Sequence, residues 1–293
     1  MNALELWRAQ LEAWRIPAPI LAAAPEPPWG FPAELFRSRA ASAIEPDREQ
    51  TPTTRRAAEA LPQGGSVLDV GCGGGATSLP LASRAGRLVG LDGQDDMLPS
   101  FAQAAESAGV AARTVCASWP DGADEVEPAD VVVCGHVLYN VADAGPFLAA
   151  LGTHARHRVV LELTAGHPLA WMNDLWERFH GLRRPQGPTA DNALAAMEET
   201  GVAPHREDRR AAEDHPAGGG FERREGAIAL VRRRLCLPET RDHEIEAALG
   251  TRLREHEGRW SAGPEEQQIV TIWWDGATAL RASNHHLQGD PVA

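Results

Sequence analysis

The stretch Val67-Leu-Asp-Val-Gly-Cys-Gly-Gly-Gly75 decides the fold of this chain. Its first four residues are apolar apart from Asp69 and suit a short buried strand. Gly71, Gly73 and Gly75 then form a turn without side chains, where a ligand can approach the backbone closely. A helix beginning near Ala76 and carrying Leu79, Leu81 and Ala82 is expected next, its free N–H groups facing the polar end of the ligand. Glycines alone do not choose that ligand, because Gly71-x-Gly73-x-x-Ala76 also fits a dinucleotide-binding fingerprint. Asp69, two residues before the first glycine, discriminates. Beside a pyrophosphate its charge would repel; beside an ammonium or a sulfonium it would attract. The residues favour a cationic ligand.

Working outward, the pattern alternates between strand and helix. Strands are predicted at Arg87–Leu91, Arg113–Cys116, Ala129–Cys134 and Arg158–Thr164, and helices at Met97–Ala108 and near Gly145–Ala155. This alternation is that of a doubly wound, mostly parallel sheet with helices on both faces. Asp92 closes the second strand, 23 residues after Asp69. An acid there can accept both hydroxyls of a ribose.

The second half is less regular. Leu169, Met172, Leu175, Trp176 and Phe179 have helical spacing, as do Ile245, Leu249 and Leu253, and Asp191–Thr200 reads as a further helix. The charged segment from Ala203 to Gly220 reads as a solvated loop, and Ala227–Leu237 and Gln268–Asp275 as the last two strands. Upstream, Leu4, Trp7, Leu11 and Trp14 share one helical face that Pro17 and Pro19 terminate. The segment Pro25–Pro32, with Leu35 and Phe36 beyond it, extends this into an N-terminal helical cap over residues 1–50. A second helix is expected over Thr53–Leu61, residues 51–282 form the main domain, and the polar residues 283–293 a disordered tail.

Bulk composition narrows the classes. No run reaches the roughly 18 apolar residues a membrane span needs, and Met1–Trp14 lacks the basic start and apolar block of a signal peptide. A cytoplasmic protein is expected. Cys72, Cys116, Cys134 and Cys236 have no metal-ligand spacing and suit buried thiols in a reducing compartment. The net charge of -13 argues against a nucleic-acid partner. All 28 basic residues are arginine, so Schiff-base chemistry and a P-loop lysine are absent.

Asp69-x-Gly71-x-Gly73-x-Gly75, Gly90-Leu-Asp92 and Asp96-Met97-Leu98 together resemble the class I S-adenosylmethionine-dependent methyltransferases, over about residues 64–165 and more loosely to the last strand pair. The resemblance implies a Rossmann-like seven-stranded sheet whose last strand is reversed, the pair being 227–237 with 268–275. It implies S-adenosyl-L-methionine as cofactor, its methionine moiety on the loop of Gly71, Gly73 and Gly75, its ribose on Asp92 beside Gly93, and its adenine against Met97. The family usually has a hydrogen-bonding acid after the third strand. Here that run is Ala117-Ser-Trp-Pro120, which leaves Ser118 to hydrogen-bond the base and Trp119 to stack on it, or else to pack in the interior.

Cys134-Gly-His136 would then lie close to the transferable methyl. His136 and Tyr139, the only tyrosine in the chain, are the candidate catalytic residues, as general base or as orienters of a substrate hydroxyl; the alternative is that they only shape the cofactor pocket. The segment Thr164–Trp171 with Trp176 and Phe179 would wall a substrate pocket or simply cover the sheet. Arg183-Arg184 would clamp an anionic substrate or form a surface turn. Arg232-Arg-Arg234 reads as a solvated edge strand. The implied activity is methyl transfer to a small-molecule acceptor. A non-catalytic S-adenosylmethionine-binding protein, an RNA or protein methyltransferase and a nicotinamide oxidoreductase are the competing readings, the last opposed by Asp69.

Overall fold

The computed structural model describes residues 1–29, 50–212 and 220–276. Its centre is a seven-stranded sheet assembled from β1 (Gly65–Val70), β2 (Ala85–Asp92), β3 (Ala111–Cys116), β4 (Ala129–Gly135), β5 (Ala155–Thr164), β6 (His205–Ala212) and β9 (Glu266–Asp275), in the order β3-β2-β1-β4-β5-β9-β6. The pairs among β1 to β5 are parallel, and β9 runs antiparallel to both neighbours. β1 and β4, central and covered on both faces, carry apolar runs at Val67–Leu68 and Val131–Cys134, as such strands must, with the acids Asp69 and Asp130 the exceptions. Helices α3 (Pro52–Ala60), α4 (Leu98–Ser107), α5 (Ala144–His154) and α7 (Ala190–Glu199) follow the predicted pattern closely.

Three predictions are corrected. No α-helix follows the glycine turn: residues 71–84 hold turns and one 3-10 turn, Leu79–Leu81. Pro80 removes a helical N–H donor there, and only 14 residues separate β1 from β2. The strand expected at 227–237 is helix α8 (Arg224–Arg234), which buries Ala227, Ile228 and Val231 on one face. Arg232, Arg233 and Arg234 form its last turn, where cations offset the helix dipole, rather than an edge strand. The true partner of β9 is β6, within the segment read as a solvated loop.

The apolar residues fall into distinct clusters. Two lie on opposite faces of the sheet. A third lies beyond it, made by α6 (Asn173–His180), α8, α9 (Asp242–Leu249) and the short hairpin β7 (Leu253–His256) and β8 (Arg259–Ala262), with Ile16, Ile20 and Ala24 of the N-terminal region packed against it. The segments after β5 and β6 both leave the carboxyl edge of the sheet, so this cluster forms a cap at that edge. Of the N-terminal helices, α2 (Ala18–Ala23) adds Ile20 to it, whereas α1 (Ala3–Glu12) packs through Leu4, Trp7 and Leu11 on one of the two sheet clusters. Residues 30–49, including Leu35 and Phe36, and the tail at 283–293 lie outside the described residues.

Trp7 anchors α1. It is fully buried, and its indole N–H donates to the Val141 carbonyl at 2.8 Å. Trp7→Phe keeps most of the buried ring and deletes that bond. It should cost about 1 kcal/mol of unfolding free energy, read from the urea midpoint at unchanged slope.

Candidate functional site

Asp69 is 1 % exposed, and its Oδ2 accepts from the Ser78 hydroxyl at 2.6 Å. Its Oδ1 is buried with no hydrogen-bond partner. Burial pushes this carboxyl up to about 7; the Ser78 bond opposes the shift and the charge of Asp92 adds to it. An ionisable oxygen left unpaired in the interior is costly unless something fills the vacancy in its shell. A cation beside Asp69 would remove that cost and lower its pKa.

The glycine turn approaches the end of β4. Gly71, Gly73 and Gly75 all have positive φ. At Gly71 a Cβ would stand 2.3 Å from Val137 Cγ2, so only glycine lets the turn close on the segment after β4. Gly71→Ala should destabilise the fold by about 1–3 kcal/mol through backbone strain and displacement of Val137, read as a lowered thermal midpoint. Gly135 presses on Thr77 in the same way.

Asp92 ties two loops. Its Oδ2 accepts from the Gly73 N–H at 2.8 Å and its Oδ1 from the Gln94 N–H at 2.9 Å. A carboxylate has about four acceptor sites, so capacity remains for ribose hydroxyls. Gly93 faces the Ser118 side chain, to which a Cβ would come within 3.1 Å of Oγ, and Ser118 is exposed. Met97 is 2 % exposed. Trp119 is engaged by α5: its indole N–H donates to the Phe147 carbonyl at 3.2 Å, and its ring meets His154 edge-on at 5.0 Å. Those contacts give it a packing role.

His136 has φ 60, a conformation that favours glycine, and its backbone N–H donates to the Glu162 carbonyl at 2.8 Å. Its Nε2 lies 3.2 Å from Glu162 Oε1. Glu162 is only 9 % exposed, and its Oε2 accepts from the Thr53 hydroxyl at 2.6 Å. Thr53 in turn meets Thr271 at 2.8 Å, and Arg209 of β6 approaches Glu162 at 3.9 Å. Glu162 of β5 thus joins α3, β6, the residue after β4 and, through Thr53, β9 around one buried carboxylate. Sequence reasoning passed over it, although an acid inside Val159-Val-Leu-Glu-Leu163 was a readable signal.

Tyr139 belongs to a different environment. Its hydroxyl donates to the Thr164 carbonyl at 2.6 Å, its ring stacks on Trp7, and burial raises its pKa. Both a committed hydroxyl proton and a raised pKa unsuit it to act as a base. Among the described residues no helix is long and apolar enough to cross a membrane, and no cluster of His, Cys, Asp and Glu could hold a metal ion.

Comparisons with known proteins fit this geometry. A family model described as a methyltransferase domain matches residues 67–157. Two proteins named ubiquinone biosynthesis O-methyltransferase are similar in sequence. The one from Azorhizobium caulinodans is 37 % identical over 86 residues, 29 % of this chain and 34 % of its own. The one from Rhizobium etli is 26 % identical over 158 residues, 48 % of this chain and 64 % of its own. The chain therefore spans about one third to two thirds of the length of these relatives. A cyclopropane-fatty-acyl-phospholipid synthase-like protein from Lactobacillus casei shares the fold, with a TM-score of 0.52 at 14 % identity over 91 % of this chain and 99 % of that one. Sheet order, glycine turn and family match agree that residues 67–157 form a methyltransferase domain of the S-adenosylmethionine-dependent kind.

Proposed function

We propose that this protein binds S-adenosyl-L-methionine and transfers its methyl group to a small-molecule acceptor held under the cap. One observation carries the reading: the buried, unpartnered Asp69 Oδ1 beneath a side-chain-free turn, a vacancy suited to a cationic ligand. Gly71, Gly73 and Gly75 would receive the amino-acid end, Asp92 the ribose hydroxyls, and Gly93, Met97 and Ser118 the adenine end. When bound, the cofactor supplies a methyl carbon on a sulfonium, already a good leaving group.

The protein's own part is then alignment and exclusion of water. The cap after β5 and β6, with α1 and α2, serves the second task. His136, held next to the glycine turn through Gly135 and Val137, would accept a proton from an acceptor hydroxyl. Glu162 would fix the imidazole and offset its positive charge. The two relatives named as O-methyltransferases support an oxygen acceptor.

Isothermal titration with S-adenosylmethionine, S-adenosylhomocysteine and NAD tests the reading. Micromolar binding of the first two without NAD is expected; binding of NAD alone would overturn it.

A further inference from the structure

Gln10, Trp14, Asn173 and Arg184 meet where α1, α6 and the segment at 184–187 converge on the cap. Arg184 Nη1 donates to the Trp14 carbonyl at 2.8 Å, Asn173 Nδ2 donates to the Arg184 and Pro185 carbonyls, and Gln10 packs against Gly187. The guanidinium lies 4.0 Å from the centre of the Trp176 ring and 5.3 Å from that of Trp14. Its other edge is the unusual feature. Arg184 Nε and Nη2 are buried and bond to nothing, and Gln10 Oε1 and Asn173 Oδ1 at the same junction are likewise unsatisfied. Burial lowers the Arg184 pKa to about 10. His167, stacked on Trp14 at 3.6 Å, is held neutral by burial and by the charge of Arg184.

Nε and Nη2 are parallel donors whose spacing matches the two oxygens of a carboxylate. A protein that gives this edge no side-chain or backbone acceptor of its own forgoes hydrogen bonds to a charged group. We infer that Arg184 is a binding residue for the carboxylate of an aromatic or otherwise planar carboxylic acid, whose ring would lie against the outside of the Trp14–His167 stack. Gln10 Oε1 and Asn173 Oδ1 would accept from a hydroxyl on the same molecule. The junction lies at the carboxyl edge of β5, because His167 follows that strand and meets Tyr139 edge-on at 5.5 Å. This inference rests on the proposed methyl transfer only in naming the carboxylic acid as acceptor; the anion site itself stands without it.

Benzoate and benzamide, alike in shape and different in charge, are the probes. Tryptophan fluorescence of the full chain should report saturable benzoate binding, with benzamide at least tenfold weaker. Arg184→Met should abolish the preference, and Arg184→Lys should retain part of it by charge without the paired edge. Thermal melts of each variant establish folding, and benzoate should raise the midpoint of the wild type but not of Arg184→Met. Equal binding of the two probes, or benzoate binding undiminished in a folded Arg184→Met, overturns the inference. Absent benzoate binding does so too. S-adenosylhomocysteine titration on the same samples separates the outcomes: its failure with benzoate binding intact removes the methyl-transfer reading and leaves the anion site.

Discussion

Asp69→Asn should weaken S-adenosylmethionine binding by about 2–5 kcal/mol, on the order of 30-fold to several thousandfold, because it removes the charged partner of a cation in a desolvated site. The amide keeps the size of the side chain and the possibility of bonding Ser78. The pH dependence makes the test specific. In the free protein the Asp69 carboxyl titrates at about 7, and a cation binds only its ionised form. Wild-type affinity should therefore fall as pH drops below 7, by up to tenfold per unit, whereas Asp69→Asn should show no such slope. Stability of the ligand-free protein runs the other way. The folded state holds this proton more tightly than the unfolded chain, so its contribution to stability declines as pH rises from the ordinary carboxylate range, near 4, to about 7. A pH-independent affinity in the wild type would remove Asp69 from the binding site.

The second large effect concerns His136. His136→Gln should lower turnover by about 10²- to 10⁴-fold while leaving S-adenosylhomocysteine affinity within a few fold, the pattern of a lost general base. Turnover is read by transfer of a labelled methyl group to the acceptor fraction of a cell extract. Glu162→Gln should cost less, on the order of ten- to a hundredfold, as for other residues that orient an imidazole through its second nitrogen. A purely structural Glu162 would lower stability without lowering turnover of the folded protein. Undiminished transfer by His136→Gln would mean that the acceptor arrives already deprotonated.

The features legible from residues alone are those set by local chemistry. The runs Val67–Leu68 of β1, Val131–Cys134 of β4 and Val159–Leu161 of β5 are apolar because both faces of the sheet are covered there, and the glycine turn is announced by the need for positive φ. β6 was illegible for the opposite reason. As an edge strand, His205–Ala212 carries charged side chains, and apart from the in-strand pair Arg206–Asp208 their partners are remote: Glu207 pairs with Arg55 and Arg56, Arg206 also with Asp191, and Gln268 donates to Asp208. Nothing within eight residues distinguishes such a strand from a solvated loop. α8 was misread because its few large apolar residues are interleaved with alanine. The spacing Ala227, Ile228, Val231, Leu235 is helical, but it fills only one narrow stripe. Within the site, Asp69 and Asp92 could be found from their distance to the glycines. Glu162 and Arg184 become noticeable only when the folded chain brings their partners, or the lack of them, into view.

The position of β9 between β5 and β6 constrains how the protein can be made. Both flanking strands leave the ribosome before β9, yet they do not pair with one another. About a hundred residues separate Thr164 from Glu266, so closing that loop is the late, entropically costly contact of the sheet. Until residue 275 has been synthesised, β5 exposes an unpaired apolar edge and β6 has no neighbour to hold it. The nascent chain should thus become resistant to protease in two stages, the block through β5 first and β6 only after β9 has inserted. A stalled chain ending before residue 266 would remain in the first stage, open at one edge and prone to recruit a strand from another molecule.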